Sequence, residues 1–315
     1  MENLNSLLNR EIAKSHQLFE DYFSYDEIKI AEILEFLLNL QGKKIRPRIL
    51  LLVAELAGGI NDLSTKCATI LEALHTASLI HDDIIDLAKL RRGEKSINHQ
   101  FGNKLAVLTG DYLLSRSLKL LAHEKNTKII EVYAHAAEEL CLGEILEQRQ
   151  RDEDNYSIEA YFEIIQKKTA SLFIASAEIG VLTAGGAEKL QQQMREFAKL
   201  FGIAFQLKDD LLDFLGDEEI TGKETGKDLR ENVWTYPVLA ALESGNDNET
   251  IIQALETNDF HRLKRLIAKN QGFERTKATI ASFSKKALDI LNKLNDCDAL
   301  RELQSIVQQN ITRNN

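Results

Sequence analysis

Apolar side chains recur every three or four residues along most of the chain, which is the spacing of an α-helix with one buried face. Leu113, Leu114, Leu118 and Leu121 form one such series. No convincing run alternates between apolar and polar side chains, as a half-exposed strand would. Only two prolines occur among the 315 residues, so few positions forbid a helix to continue. The pattern predicts an all-α protein.

Glycine-containing and polar segments interrupt this periodicity and predict the ends of helices. They lie near residues 42, 58–59, 93–102, 152–155, 185–186, 216–226 and 245–248. Most of these connections are short, but the polar stretch from Gly216 to Thr235 is long enough to predict a functional loop or lid. No segment has the composition of a linker between domains, so we expect residues 1–315 to form a single domain.

Charge and cysteine content exclude several classes of function. The formal net charge is −10 at pH 7, whereas a nucleic-acid-binding surface needs a basic face. The three cysteines are widely spaced and odd in number, which fits reduced thiols better than a disulfide framework. No stretch reaches the roughly 18 apolar residues of a membrane-spanning helix, and residues 1–20 lack the apolar core of a signal peptide. We therefore expect a cytoplasmic protein with no nucleic-acid partner and no transmembrane segment.

Two aspartate clusters carry the candidate chemistry. They share the spacing D-D-x-x-D on apolar helical segments, and they comprise Asp82, Asp83 and Asp86, and Asp209, Asp210 and Asp213. On a helix the first and last carboxylates of each cluster lie one turn apart on one face, where like charges repel. A cation is therefore expected beside them, and oxygen ligands without histidine or thiolate suit Mg²⁺ shared with a substrate phosphate. The alternative is a pair of solvated acidic surfaces.

Three compact basic segments stand out in this acidic chain. They are residues 42–48 at a predicted helix start, residues 91–93 after the first aspartate cluster, and residues 167–169. Each one alone would be interpreted as a solvated charged surface. Together with paired metal sites, the three segments predict binding of diphosphate groups.

The order of these motifs resembles that of the trans-polyprenyl diphosphate synthases. The resemblance runs from about Gly42 to Pro237 and includes G-K-K-I-R-P (42–47), E-A-L-H-T-A-S-L-I-H-D-D-I-I-D (72–86), R-R-G (91–93), G-D-Y-L-L (110–114), G-E (143–144), K-T-A (168–170) and the second aspartate cluster. It implies an all-α, single-domain helical bundle of the isoprenoid synthase type with a central cavity. It also implies a homodimeric, Mg²⁺-dependent prenyltransferase that condenses isopentenyl diphosphate with an allylic diphosphate.

The resemblance assigns roles to individual residues. The metal ligands would be Asp82, Asp83, Asp86, Asp209 and Asp213. The catalytic set would be Asp82, Asp83, Asp86, Lys168, Asp209 and Asp210. The allylic diphosphate would be bound by Arg91, Lys168, Thr169, Gln206 and Lys223, and isopentenyl diphosphate by Lys43, Arg46, His75 and Arg92. Without the resemblance, His75 would be interpreted as a core histidine that makes one hydrogen bond.

The mechanism that the resemblance implies begins with departure of the allylic diphosphate. Metal ions and basic side chains stabilise the leaving group, the double bond of isopentenyl diphosphate attacks the allylic cation, and a proton is lost. Water must be excluded, because it would quench the cation.

The residues before the first aspartate cluster bear on product length. In the family, the hydrocarbon tail extends along this helix, and a bulky aromatic residue four or five positions before the cluster stops growth. Here those positions hold Ser78 and Ala77, and Leu74 lies further along as a partial floor. Because small side chains leave a tunnel open, we expect a long-chain product of roughly thirty carbons or more.

Two positions depart from the family pattern and leave alternatives open. Asn232 and Val233 replace a polar pair that usually includes a lysine, and Glu147 stands where relatives commonly have glutamine. The first departure leaves open a subunit of a heteromeric synthase with reduced activity of its own. A short-chain farnesyl or geranylgeranyl diphosphate synthase is the alternative for the product. A terpene cyclase would not need the isopentenyl site, and a structural scaffold would leave the buried carboxylates unexplained.

Overall fold

The computed structural model describes residues 3–24, 28–39, 42, 44–91, 93–153, 156–216, 226, 229 and 233–313. Over these residues the regular structure is almost entirely α-helical, which confirms the all-α class predicted from the periodicity. The helices are α1 (Leu4–Phe23), α2 (Ile28–Asn39), α3 (Ile45–Ala57), α4 (Asp62–Ile85), α5 (Ile97–Phe101), α6 (Asn103–His123), α7 (Thr127–Glu153), α8 (Ile158–Ile165), α9 (Ser171–Thr183), α10 (Glu188–Leu215), α11 (Tyr236–Leu242), α12 (Asn248–Glu256), α13 (Phe260–Lys269), α14 (Gly272–Leu291) and α15 (Asp298–Thr312). A π-helical turn, Gln166–Ala170, joins α8 to α9.

A short hairpin interrupts the helices after α4. Its strands, β1 (Leu90–Arg91) and β2 (Glu94–Lys95), pair antiparallel with Arg91 opposite Glu94. The sequence predicted a break at residues 93–102 but no hairpin, because strands of two residues are too short for alternation to be recognised. The hairpin is important for the site because it carries Arg91.

Other predicted breaks coincide with helix ends. Residues 58–59 follow α3, residues 185–186 follow α9, and residues 245–247 precede α12. Most of the predicted lid at 216–235 lies outside the described residues, which include only 216, 226, 229 and 233–235 of it. Within the part of the chain that the structure describes, no helix is both long and apolar enough to cross a membrane.

The chain divides into two compact units. Unit 1 comprises Met1–Glu138, Leu172–Glu196 and Leu294–Leu303, and unit 2 comprises Glu139–Ser171, Phe197–Lys293 and Gln304–Asn315. The expectation of one domain over residues 1–315 stays a prediction.

The core of unit 1 forms around α4, which packs against α1, α3 and α6. A capping box begins this helix: Ser64 N–H donates to the Asn61 side chain at 3.0 Å, and Asn61 N–H donates to the Ser64 hydroxyl at 2.9 Å. Five helices, α1, α2, α4, α5 and α6, share one buried apolar cluster, made of Phe19, Phe23, Ile33, Leu37, Ala73, Ala77, Ile80, Ile97, Ala106 and Leu113. This packing fixes the rotation of α4 and hence the positions of the aspartates at its end.

Gly110 allows α6 to approach α4 closely. A Cβ atom at this position would lie 2.2 Å from Nε2 of His81, so the His81 ring would have to move. The same nitrogen lies 3.3 Å from the Val107 carbonyl oxygen and 3.6 Å from Oδ1 of Asp111. His81 is therefore a packing residue between two helices.

The core of unit 2 combines apolar side chains of α8, α10 and the helices from α11 to α14. Leu207, Leu211 and Phe214 of α10 lie in it at helical spacing. Their burial fixes the rotation of α10 and therefore the direction of the aspartates between them.

Candidate active site

The first aspartate cluster lies at the C-terminal end of α4. Asp82 and Asp83 belong to the last turn, and Asp86 is the capping residue, whose N–H donates to the Asp82 carbonyl oxygen at 2.8 Å. The C-terminal end of a helix carries partial negative charge, so carboxylates are unfavourable there. No basic residue lies in the last turn of α4 to offset them. The need for a nearby cation is thus stronger than the spacing alone indicated.

Arg91 supplies one such cation from the hairpin. Its Nε donates to Oδ2 of Asp83 at 2.7 Å, and its Nη2 donates to Oδ1 at 2.6 Å, which forms a bidentate pair. Burial disfavours the charged guanidinium, but the hydrogen bonds to Asp83 and the charges of Asp82 and Asp86 raise the pKa of Arg91 above its ordinary value. Both oxygens of Asp83 are engaged by this arginine. A metal role for Asp83 and a diphosphate role for Arg91 stay predictions, and both require the pair to open.

Arg46 and His75, two of the residues predicted to bind isopentenyl diphosphate, are in contact. Nη1 of Arg46 lies 3.1 Å from Nε2 of His75, and its guanidinium lies 4.6 Å from the ring centre of Phe173. Because an arginine only donates, Nε2 of His75 accepts this hydrogen bond and the imidazole is neutral. The other two residues of the predicted set, Lys43 and Arg92, lie outside the described residues.

A cavity of about 820 Å³, counting its open mouth, lies within unit 1. One wall is formed by side chains of α4: Glu72, His75, Thr76, Leu79, Ile80 and Asp83. Arg91 and Lys44 contribute charge, while Phe19 and Leu37 contribute apolar surface. Burial lowers the pKa of Lys44, although the charge of Glu72 acts in the opposite direction. Lys44 belongs to the basic segment 42–48 and adjoins Lys43, but the family resemblance assigned it no role of its own.

The three residues predicted to control chain length do not line this cavity. Ala77 has no exposed surface and belongs to the apolar cluster around α4, and Leu74 is also buried. The hydroxyl of Ser78 donates to the His75 carbonyl oxygen at 2.9 Å. The cavity follows a neighbouring face of α4, through Thr76, and a tunnel beside Ala77 stays a prediction.

The second aspartate cluster lies in the last part of α10, and its middle member is buried. Asp210 accepts hydrogen bonds from the Tyr161 hydroxyl and from Nε2 of Gln206, the latter at 2.8 Å. Burial raises the pKa of Asp210 to about 7, with a further contribution from the charge of Asp209, although the two hydrogen bonds act in the opposite direction. Asp210 thus anchors α10 internally, and its predicted catalytic role is untested.

The π-helical turn connects the K-T motif to this cluster. The Thr169 hydroxyl donates to Oε1 of Gln206 at 2.7 Å, and Gln206 in turn donates to Asp210. Single π-turns inside helices are frequent at functional sites. Three residues that the sequence assigned to one site are therefore joined by hydrogen bonds, whereas the predicted Lys223 lies outside the described residues.

Lys168 of the same turn is held by α7. Its ammonium nitrogen lies 2.6 Å from Oε2 of Glu144 and 2.7 Å from Oε2 of Glu147. The approach depends on Gly143, because a Cβ atom there would lie 2.6 Å from Cγ of Lys168 and 2.9 Å from its backbone nitrogen. The neighbouring Lys167 pairs with both oxygens of Glu139, each at 3.0 Å. The glycine of the G-E motif is therefore needed for steric reasons, because a side chain at position 143 would collide with Lys168.

Arg313 pairs with the second aspartate cluster. Its Nη2 donates to Oδ1 of Asp209 at 2.5 Å and to the Phe205 carbonyl oxygen at 3.2 Å, and its guanidinium lies 4.4 Å from the Phe205 ring centre. Asp213, at the end of α10, is half-buried, and its carbonyl oxygen accepts a hydrogen bond from Gly226 N–H at 3.0 Å. Neither Arg313 nor Tyr161 was predicted from the sequence, because neither belongs to a motif near the aspartates.

Comparison with known proteins assigns the family. A family model described as polyprenyl synthetase matches residues 27–269. The chain belongs to the polyprenyl synthetase family. Octaprenyl diphosphate synthase of Haemophilus influenzae is 29% identical over 100% of this chain and 97% of its own length. Heptaprenyl diphosphate synthase component 2 of Geobacillus stearothermophilus is 33% identical over 93% of each protein.

One solved structure extends this likeness to the fold of the polyprenyl synthetase. Polyprenyl synthase of Caulobacter crescentus, crystallised with calcium and isoprenyl diphosphate, is 32% identical and has a TM-score of 0.92, covering 98% of this chain and 97% of that chain. Family and fold together confirm the resemblance drawn from the motif order, the isoprenoid synthase type of fold and the prenyltransferase class. The family match includes both aspartate clusters but ends before α14 and α15, so Arg313 lies beyond it.

The donor set of this polyprenyl synthetase fits Mg²⁺. The described residues contain no group of three or more aspartate, glutamate, histidine or cysteine side chains arranged to hold a metal ion. Mg²⁺ in phosphate-transfer sites needs only one or two carboxylates, because substrate phosphates and water complete its octahedron. In addition, each aspartate cluster already pairs with a guanidinium cation: Arg91 pairs with Asp83, and Arg313 pairs with Asp209. Both clusters are therefore oriented to bind positive charge through oxygen ligands.

Proposed function

We propose that this chain condenses isopentenyl diphosphate with an allylic diphosphate, such as farnesyl or geranylgeranyl diphosphate, and elongates it to a long-chain all-trans polyprenyl diphosphate. One observation carries the proposal: the cavity of unit 1 has both charged and apolar walls. His75, Asp83 and Arg91 line it together with Phe19 and Leu37. A prenyl diphosphate has the same two parts, and burial of each methylene of its chain contributes about 0.8 kcal/mol.

The residues of this chain bind and orient the two substrates. Arg46 and Arg91 are permanently charged donors with a geometry suited to phosphate oxygens. Neutral His75 and the Phe173 ring hold the Arg46 guanidinium in place. The apolar walls of the cavity exclude water, which would otherwise quench an allylic cation.

A second group of residues would serve the allylic diphosphate. Lys168 and Thr169 lie in the π-helical turn, and the hydrogen bonds from Thr169 through Gln206 to Asp210 hold that turn beside the second aspartate cluster. Lys168 would leave Glu144 and Glu147 to bind the diphosphate as its charge develops.

Magnesium would be held by Asp82, Asp86, Asp209 and Asp213, and when bound it neutralises the departing diphosphate. Asp83 would join these ligands only after its pair with Arg91 opens. The calcium and isoprenyl diphosphate in the Caulobacter protein support a divalent-metal site in this family.

The long-chain product is supported by the names of two relatives, octaprenyl diphosphate synthase and heptaprenyl diphosphate synthase component 2. A second candidate is a subunit of a heteromeric synthase. The Geobacillus relative is called component 2, which favours this candidate, and Val233 stands where a polar side chain is usual. Activity of the purified chain by itself separates the two.

Assembly and location complete the proposal. The helix α6 exposes Leu105, Val107, Leu108 and Leu118, and Leu108 is 62% exposed. Exposed apolar side chains of this kind mark protein–protein interfaces, so they support a homodimer formed through α6.

The three cysteines are free thiols, which supports a reducing, cytoplasmic location.

The direct test uses the purified chain, Mg²⁺, labelled isopentenyl diphosphate and farnesyl diphosphate, with chain length determined by chromatography. We expect a long-chain product without any added protein. Product only after addition of a second protein would favour the heteromeric subunit, and a product that stops at geranylgeranyl length would support the short-chain alternative. No incorporation with any allylic primer or added protein would refute the prenyltransferase proposal.

A further inference from the structure

Lys168 lies between two carboxylates of α7. Its ammonium nitrogen is 2.6 Å from Oε2 of Glu144 and 2.7 Å from Oε2 of Glu147. The same oxygen of Glu147 accepts a hydrogen bond from Nη2 of Arg151 at 2.6 Å. All four side chains are between 14% and 24% exposed, and their two positive and two negative charges cancel.

These contacts create a competition for Lys168. A diphosphate that recruits Lys168 must take it from two carboxylates, and partial burial strengthens such ion pairs relative to pairs in open water. Breaking a buried pair is costly when one charge is left without compensation. When Lys168 departs, Glu147 keeps a counter-ion, because Arg151 lies one helical turn away on α7 and remains paired with it. Glu144 loses its contact with Lys168, which adds to the cost of recruiting Lys168.

We propose that Glu147 is a positioning residue that competes with the allylic diphosphate for Lys168, and that Arg151 retains Glu147 while Lys168 contacts the substrate. The inference rests on the proposed function, which assigns Lys168 to diphosphate binding. After each condensation Glu147 takes Lys168 back and so favours the release of inorganic diphosphate. Repeated elongation on one enzyme requires that release in every round.

Two variants should change the affinity for diphosphate in opposite directions, and a third serves as the control. Glu147→Gln removes the competing charge, so the diphosphate should bind more tightly. Arg151→Gln leaves Glu147 with Lys168 as its partner, so the diphosphate should bind less tightly. Glu139→Gln is the matched control, because it makes the same change two turns earlier on α7, at the partner of Lys167.

The first measurement is calorimetric binding of inorganic diphosphate in the presence of Mg²⁺, which needs no turnover. We expect Glu147→Gln to lower the dissociation constant about three- to tenfold, Arg151→Gln to raise it by a similar factor, and the control to leave it within about twofold. The double variant Glu147→Gln/Arg151→Gln should behave as Glu147→Gln does. Thermal unfolding of each variant establishes that it is folded before its binding is compared.

The second measurement separates the two substrates. The apparent KM for the allylic diphosphate should fall with Glu147→Gln in parallel with the dissociation constant, while the KM for isopentenyl diphosphate and the single-turnover rate change less than about twofold. A merely structural role for Glu147 would shift both KM values and the rate together. That result, or an unchanged or weakened affinity for inorganic diphosphate in folded Glu147→Gln, would overturn the inference.

Failure of the inference can be distinguished from failure of the proposed function. If the wild-type chain makes no prenyl product but the variants change diphosphate affinity as expected, the competition stands and the reaction assignment fails. If the wild type makes polyprenyl product and the variants leave diphosphate affinity unchanged, the competition alone fails. Absence of inorganic diphosphate binding by a wild type that makes polyprenyl product would overturn the competition alone, and absence of both binding and product would overturn both proposals.

Discussion

Arg313, the residue after α15, lies against Asp209 of the second aspartate cluster, with Nη2 at 2.5 Å from Oδ1. The end of α15 is held on α10 by a second contact, in which Nζ of Lys208 donates to the Ile311 carbonyl oxygen at 3.1 Å. Burial lowers the pKa of Lys208, and the charges of Arg313 and Lys277 add to this effect. The Arg313 guanidinium thus pairs with the Asp209 carboxylate, which the proposed function assigns to metal binding.

Replacing Arg313 should therefore change two quantities in opposite directions: the Tm of the metal-free protein should fall, and the rise in Tm on adding metal should increase. Asp209 is more than a third exposed, so the pair contributes only about 0.5–1 kcal/mol, and Arg313→Gln should lower the metal-free Tm by about 1–4 °C. Because the guanidinium no longer competes, the rise in Tm on adding Mg²⁺ and inorganic diphosphate should be larger than in the wild type. Arg301→Gln, which removes an exposed arginine of the same helix, is the control. An unchanged metal response in Arg313→Gln would contradict this competition.

The pair of Arg91 and Asp83 predicts a difference between neighbouring aspartates. The Asp83 side chain is 4% exposed, so Asp83→Asn leaves a largely buried guanidinium without its counter-ion and should lower the free energy of unfolding by about 2–4 kcal/mol. Asp82→Asn changes a half-buried carboxylate at the negative end of α4, where loss of charge relieves repulsion, and should not destabilise the metal-free protein. Denaturant unfolding without metal measures both. Equal destabilisation by the two variants would show that the pair has no special role.

The sequence predicted the helical class and the aspartate clusters because both are local properties. A period of three to four residues and a D-D-x-x-D spacing can be recognised within a few turns of one helix. The partners of those aspartates are not local. Tyr161 lies 49 residues before Asp210, and Arg313 lies 104 residues after Asp209, so only the packing of α8 and α15 against α10 brings them together.

The same limit applies to the basic residues. Arg91 and Lys168 stand out in the sequence as basic residues of short motifs, but the sequence could not reveal that each is held by carboxylates. The cavity beside Thr76 depends on where α1 and α2 pack, which the periodicity of α4 does not specify.

The buried carboxyl group of Asp210 predicts a pH dependence of stability. Its pKa rises from 3.8 to about 7 on folding, so the folded protein binds this proton more tightly. The resulting stabilisation is fully present below the pKa of the unfolded side chain and is lost as the pH rises through about 7. Asp210→Asn resembles the protonated form, so its free energy of unfolding relative to the wild type should increase by up to about 4 kcal/mol between pH 4 and pH 8 in metal-free buffer. A difference that does not change with pH would contradict the raised pKa.

Ala77→Tyr tests the chain-length prediction. If the tail passes Ala77, the ring blocks it and the product becomes shorter, while the first condensations continue. Because Ala77 is fully buried among packed side chains, the larger residue should also cost on the order of 1–3 kcal/mol of stability. Thr76→Tyr places the same ring in the cavity of unit 1. If folded Ala77→Tyr still makes long products and Thr76→Tyr makes shortened ones, the growing prenyl chain extends through that cavity and not past Ala77.

The central claim is that the aspartate clusters carry a metal-dependent prenyl transfer, and one measurement tests it most directly. Incorporation of labelled isopentenyl diphosphate into apolar product is compared for the wild type and Asp82→Asn, with Mg²⁺ and with the metal removed by a chelator. The account predicts incorporation by the wild type with Mg²⁺ and none without divalent metal. Folded Asp82→Asn with Mg²⁺ should be at least about a hundredfold slower, on the order expected for loss of one charge-stabilising group. Near-normal incorporation by Asp82→Asn, or by the wild type without divalent metal, would contradict it.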